Sequence, residues 1–189
     1  RQYSYSLYRA LIMKYTGYLL DRAIIIWDIG QANDLYRNGF YGKPLGIVKP
    51  KGQFDSPLVL DFIEGMYLLE KGSIEIYSNE RIMSSSELGK IFAAKYDRFV
   101  EKYAVYRALR DMGLVVIPGM KFGGDFAVYK KGPGLEHAPY IVNVVKGGHQ
   151  LGATELVLAG RLARSVRKRF IIAVPGKQPA LLGFDWWRP

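Results

Sequence analysis

The sequence predicts an α+β chain in two parts. The first is a small mixed α/β domain over residues 1–92. The second, over 93–189, is a mixed β-sheet flanked by helices. Three observations carry this. The chain has 189 residues, 49% of them apolar, enough for one large or two small cores. Short β-branched runs alternate with segments of helical periodicity. Beyond Gly113 the text turns to closely spaced strands, Leu114–Ile117, Asp125–Tyr129 and Tyr140–Val145. There is no internal repeat and no low-complexity tract.

In the first part, Tyr8, Leu11, Ile12, Tyr15 and Leu19 recur at helical spacing, which predicts an amphipathic helix, or a helix and a turn, over residues 1–20. Arg22 to Ile29 is β-branched and aromatic and reads as a strand. A long Gly/Pro-rich basic loop follows, about residues 42–55, with Lys43, Lys49 and Lys51. Loops of this length are often functional, and a tolerated surface insertion is equally consistent. Ser56-Pro57 has the chemistry of a helix start, with Phe62, Ile63, Met66 and Leu69 facing inward and Gly72 as the stop. Ile74–Tyr77 is a strand. Ser84 and Glu87 match a capping box for the next helix.

A long helix is expected from Tyr96 to Met112, closed by Gly113. The boundary between the parts falls in 88–95, without a Pro/Gly linker. In the second part, a helix over Thr154–Lys168 separates the Tyr140 strand from Phe170–Val174. A last strand lies near Leu181–Trp187.

Composition narrows the function. There are 27 Lys+Arg against 17 Asp+Glu, a formal net charge of +10, which favours an anionic partner, nucleic acid or an acidic membrane surface. Cysteine is absent, so no disulfide, thiolate metal site or cysteine nucleophile is possible. Two histidines make a His-rich metal centre a poor expectation, and no metal or cofactor is expected. The longest apolar run, Ala23–Trp27, falls far short of the roughly 20 residues that span a bilayer. No cleavable signal pattern opens the chain, so a soluble, cytoplasmic protein is expected.

The densest charge lies in Arg161–Arg169, where five of nine residues are basic and none acidic. On a helix Arg161, Arg164 and Lys168 share a face, while Leu158, Leu162 and Val166 lie on another. A solvated helix end favoured by the helix dipole would account for one or two of these cations. Five without acids fit a phosphate-binding face better. His137 sits in a Gly/Pro turn before a strand, where it could be a general acid or base or an ordinary surface histidine. His149 has no assigned role. Tyr129 ends the preceding strand, so Tyr129 and His137 bracket one edge of the sheet.

Three blocks in order then carry a resemblance: Lys121-Phe122-Gly123-Gly124-Asp125-Phe126-Ala127-Val128-Tyr129, His137-Ala138-Pro139-Tyr140-Ile141-Val142, and Arg161 through Ser165-Val166-Arg167-Lys168. Together they resemble the archaeal tRNA-splicing endonucleases. The helix ending in Tyr106–Gly113, and Tyr41-Gly42 followed by the helix at Leu58–Leu69, fit as well. The likeness covers most of residues 20–189, and the C-terminal blocks are highly specific. It implies that residues 93–189 form a catalytic nuclease domain with a restriction-endonuclease-like sheet.

The resemblance also implies a triad of Tyr129, His137 and Lys168. Tyr129 would be general base to the RNA 2′-hydroxyl and His137 general acid to the leaving 5′-oxygen. Lys168 would stabilise the charge on phosphate. The ends would be a 2′,3′-cyclic phosphate and a 5′-hydroxyl, made without metal. A free tyrosine, with a pKa of about 10, is a weak base at neutral pH. A nearby Lys168 would lower it. The implied substrate is precursor tRNA folded as a bulge–helix–bulge. Arg161 would clamp a flipped base, with Arg164 nearby and Trp186 preferred to Trp187 as its mate, although core or interface packing also explains both tryptophans.

This sequence departs from the family in Ala138 and Arg164, and in the insertion Ile47–Asp55. Crenarchaeal catalytic subunits look similar at the insertion, where Lys43, Lys49 or Lys51 is expected to contact RNA. Self-assembling relatives carry acids in the loop corresponding to Pro175–Ala180. This chain has none, which implies a structural partner subunit in an α2β2 heterotetramer. A non-catalytic RNA-binding subunit of the same fold is the alternative, and retention of all three triad residues speaks against it. A metal-dependent nuclease would want an acidic cluster that Asp125 alone does not supply.

Overall fold

The computed structural model describes residues 14–165 and 169–184. They divide into two compact units, between Asp97 and Arg98. The sequence reading put the division at 92/93, but helix formation carries on to Lys95.

The first unit contains β1 (Tyr15–Leu19), β2 (Ile24–Ile26), α1 (Ile29–Gly39), β3 (Lys43–Pro44), β4 (Leu58–Leu60), α2 (Phe62–Glu70), β5 (Ile74–Ser78), β6 (Arg81–Ile82) and α3 (Ser85–Lys95). Its six-stranded sheet runs β3-β4-β2-β1-β5-β6. Only the β1–β5 pair is parallel. Ile24, Ile26, Leu58, Leu60, Ile74 and Ile76 are fully buried. Gly65 lets α2 sit close to this layer: a Cβ there would lie 2.1 Å from Ile24 Cδ1. Phe62 and Phe92 stack at 4.2 Å and join α2 to α3.

Sequence expectations and structure part company at three places here. Tyr15–Leu19 is a strand, not the expected helix. Its residues pair in register with β5, and bare Gly17 admits Ile24 and Ile74, so sheet packing overrides the helical spacing. Ser56-Pro57 does not start a helix. Leu58–Leu60 is a strand paired with β2, and α2 begins after Asp61, which forms a full capping box with Glu64. Finally, α1 lies where no helix was expected. It is short and mostly polar, buries only Ala32, Asn33 and Leu35, and has a glycine near each end, so its composition favours a loop. By contrast, the Ser84–Glu87 capping box is formed, and Gly72 and Gly113 take left-handed conformations (φ 69° and 79°) at the ends of their helices.

The second unit contains α4 (Phe99–Asp111), β7 (Val115–Pro118), a 3-10 turn (Met120–Phe122), β8 (Phe126–Tyr129), β9 (Tyr140–Val144), α5 (Ala153–Ser165), β10 (Arg169–Val174) and β11 (Ala180–Phe184). The expected Tyr96–Met112 helix is shortened at its start, because Arg98 adopts a left-handed N-cap conformation. The five-stranded sheet runs β11-β10-β9-β8-β7, with β9–β10 parallel and the rest antiparallel. Strand alternation separates two layers. Phe126 points to α4 and meets Tyr106 at 5.7 Å between ring centroids. Ala127, Tyr129, Ile141, Phe170 and Ile172 form the opposite cluster, against Leu156 of α5. The expected α+β architecture of mixed sheets and flanking helices is thus present.

The β7–β8 connection is tight. Gly119 donates to the Asp125 carbonyl at 2.8 Å, and a Cβ on Gly119 would lie 2.5–2.8 Å from Phe126 backbone atoms. Backbone cannot yield as a side chain can. Gly119→Ala is therefore expected to destabilise this unit by about 1–3 kcal/mol in urea unfolding. An unchanged midpoint would show that the connection is loose.

Candidate active site

Strand register gathers the site. Val128 of β8 pairs with Tyr140 of β9, and Tyr140 pairs with Arg169 of β10. The last residues of β8, the first of β9 and the first of β10 therefore share one end of the sheet. Tyr129 closes β8 and is buried, 6% exposed, beside Ala138, Ile141 and Phe170. His137 is exposed in the segment that enters β9. Two residues later, the Pro139 carbonyl accepts the Arg169 N–H at 2.9 Å. The structure thus brings Tyr129, the His137 segment and the start of β10 to the same end. Lys168, immediately before Arg169, lies outside the described residues, as does Trp186. Arg161 is exposed in the C-terminal half of α5. Arg164 is on the same helix, its side chain outside the described atoms.

The turn between Tyr129 and His137 has its own scaffold. Gly132 and Gly134 have positive φ. The N–H groups of Leu135 and Glu136 both return to the Gly132 carbonyl at 3.3 Å. The Glu136 carboxylate accepts the Lys131 N–H at 2.5 Å. That bond, first among several backbone contacts, holds the Glu136 carboxyl below its ordinary pKa.

An open cavity of about 590 Å³ occupies the other end of the same sheet, where β9 stops. Arg98, Asp125, Asn143, Lys146, His149 and Glu155 line it. Asp125 ties this end together. Its carboxylate accepts the Val144 N–H at 2.8 Å and pairs with Lys102 at 3.1 Å and Arg98 at 3.6 Å. His149, which sequence left without a role, lies 3.2 Å from Glu155. The cavity therefore does not coincide with the Tyr129–His137 end. Among the described residues, no group of three or more His, Asp or Glu side chains is arranged to hold a metal ion. None of the described helices is long and apolar enough to cross a membrane.

In the first unit, Lys43 is exposed on β3, and Lys49 and Lys51 are exposed on the β3–β4 connection. Two buried polar side chains pin that connection, and sequence reasoning missed both. Glu64, 2% exposed, accepts the Gly42 N–H at 2.9 Å with one oxygen and the Asp61 N–H at 2.9 Å with the other. Asn33, 7% exposed, accepts the Phe54 N–H at 3.0 Å and donates to the Phe54 carbonyl at 2.7 Å. Tyr36 meets the Phe54 ring edge-on at 5.7 Å. Glu64 was detectable as the fourth residue of Asp61-x-x-Glu64, a capping-box pattern. Asn33 had no local signal, because its partner lies 21 residues away.

The chain thus consists of two separate α/β units, the second of which presents Tyr129, the His137 segment and the start of β10 at one sheet end. Residues 99–180 match the model of the tRNA intron endonuclease catalytic C-terminal domain, and residues 15–88 that of the tRNA intron endonuclease N-terminal domain. A tRNA-splicing endonuclease from Hyperthermus butylicus is 45% identical over 179 residues, 90% of this chain and 97% of the relative. Those from Sulfurisphaera tokodaii and Pyrobaculum aerophilum are 42% and 39% identical, covering 84% and 91% of this chain and 89% and 98% of the relatives. The chain belongs to the tRNA intron endonuclease family.

Replacing Asn33 by Leu strands the N–H and C=O of Phe54. Each buried orphan costs about 1–3 kcal/mol. The expected result is a lower melting temperature and severalfold faster trypsin cleavage after Lys51, since Lys49 precedes Pro50 and resists trypsin. Unaltered cleavage would mean that Asn33 does not hold the loop.

Proposed function

We propose that this endonuclease cuts precursor tRNA at bulge–helix–bulge junctions by transesterification without a metal ion. The phenolate of Tyr129 takes the proton of the 2′-hydroxyl beside the scissile phosphate. The 2′-oxygen bonds to phosphorus as the bond from phosphorus to the 5′-oxygen breaks. His137, as the imidazolium, protonates that leaving oxygen. The Lys168 ammonium opposes the negative charge that gathers on the phosphate oxygens and favours the ionised form of Tyr129. The products are a 2′,3′-cyclic phosphate and a 5′-hydroxyl. The observation that carries this reading is the strand register, which brings the end of β8, the entry to β9 and the start of β10 to one end of the sheet.

Substrate holding is assigned to cations outside the triad. Arg161, with Arg164 beside it on α5 and Trp186 as the stacking mate, would clamp an extruded bulge base. Lys43, Lys49 and Lys51 would contact the RNA backbone. The β10–β11 connection, Pro175–Ala180, contains no acid. This supports an assembly of two such chains with two structural subunits that supply acidic loops.

The test is cleavage of an intron-containing precursor tRNA by the assembled enzyme in EDTA. Full activity in EDTA is expected, and a loss of 10²–10⁴-fold with His137→Ala. Abolition by EDTA, or wild-type cleavage by His137→Ala, contradicts the mechanism. Changing Lys43, Lys49 and Lys51 together to Ala is expected to weaken RNA binding and flatten its salt dependence by about 0.7–0.9 per lost contact. An unchanged slope removes the loop from the interface.

A further inference from the structure

Glu136 stands next to His137 in the sequence. The carboxylate reaches back across the turn to accept the Lys131 N–H at 2.5 Å. A charged carboxylate held by a main-chain N–H five residues back ties the two ends of the turn together. The charges of Lys130 and Lys131 offer a simpler account of an acid at this place. The hydrogen bond, however, runs to the main-chain N–H of Lys131 and not to its ammonium. The carboxylate is thus held mainly by the main chain. The turn it closes also carries the paired returns of Leu135 and Glu136 to Gly132 and a parallel bridge between Pro133 and Glu136.

We propose that Glu136 is a positioning residue for the cleavage reaction. By accepting the Lys131 N–H, it fixes the curl of the segment joining Tyr129 to His137. It thereby sets the separation of the two groups that exchange protons with the RNA. This rests on the roles proposed above for Tyr129 and His137. Proton transfer is intolerant of displacement: about 1 Å can cost 10²-fold in rate. A hydrogen bond to a charged acceptor is roughly twice as strong as one to a neutral acceptor. A neutral isostere should therefore hold the turn, but less firmly.

The experiment uses the assembled endonuclease and intron-containing precursor tRNA, with single-turnover rate and KM measured separately. Glu136→Ala is expected to slow cleavage about 10–100-fold and Glu136→Gln about 3–10-fold, with KM within twofold of wild type. Changing Lys130 and Lys131 to Ala, which leaves their amides in place, is expected to spare the single-turnover rate. In a His137→Ala background, Glu136→Ala should add less than a twofold loss, because its effect passes through His137. Glu136→Gln is nearly isosteric, so it carries the test if the alanine variant does not fold.

Wild-type rates in both Glu136 variants overturn the proposal. So does a rise in KM at constant rate, which would make Glu136 an electrostatic residue of RNA binding. A full additional loss in the His137→Ala background overturns it too. If His137→Ala itself cleaves at the wild-type rate, the acid assignment fails and Glu136 falls with it. A strong His137 effect with no Glu136 effect removes Glu136 alone.

Discussion

The site depends on a change of strand direction within one sheet. Strand β8 runs antiparallel to β9, and β9 runs parallel to β10. An antiparallel pair joins the end of one strand to the start of the next. A parallel pair aligns two starts. Applied in succession, these two rules bring one C-terminal strand end and two N-terminal ones to the same edge. A register shift of one residue would turn every side chain of the shifted strand to the other face. The buried cluster of Ala127, Ile141 and Phe170 resists such a slip, and the Arg169–Pro139 hydrogen bond locks the edge. Core packing and placement of reactive groups are therefore one constraint. The cavity at the opposite end has its own organiser in Asp125, which uses its charge to fix Arg98 and Lys102.

The N-terminal unit solves a related problem with polar side chains. A basic connection rich in glycine has little apolar surface with which to hold itself. Glu64 grips one stem at Gly42 and Asn33 grips the other at Phe54. Both side chains are buried, where an unmet hydrogen bond is costly, so each anchor is firm. Lys49 and Lys51 remain exposed between these anchors. The same device, a side chain that satisfies main-chain donors at a turn, recurs at Glu136.

Much of this was legible in the sequence where local chemistry decides. The Ser84–Glu87 capping box, the glycine stops and the strands from Val115 onward depend on neighbours in the chain. The strand ending at Tyr129 and the Gly/Pro turn before His137 placed both residues at one sheet edge. Where tertiary pairing decides, the local reading failed. Tyr15–Leu19 keeps a helical spacing yet forms a strand, because β5 offers a parallel partner. Ser56 has the chemistry of a cap, but Asp61 takes that part, since Leu58–Leu60 has a better partner in β2. Helix α1 is too polar to announce itself, and the bond from Asn33 to Phe54 links residues that no local pattern connects. Lys168 and Trp186 fall outside the described residues, so their part in the site rests on sequence alone.

In the proposed reaction the RNA is cut by its own 2′-hydroxyl, helped by Tyr129 and His137. The most direct measurement places a single 2′-deoxynucleotide at the scissile position of precursor tRNA and follows binding and cleavage by the wild-type enzyme. Unchanged binding and no cleavage at that junction are expected, while the unmodified junction is still cut. Cleavage of the deoxy-substituted junction would contradict that reaction, because the attacking oxygen would then have to come from elsewhere.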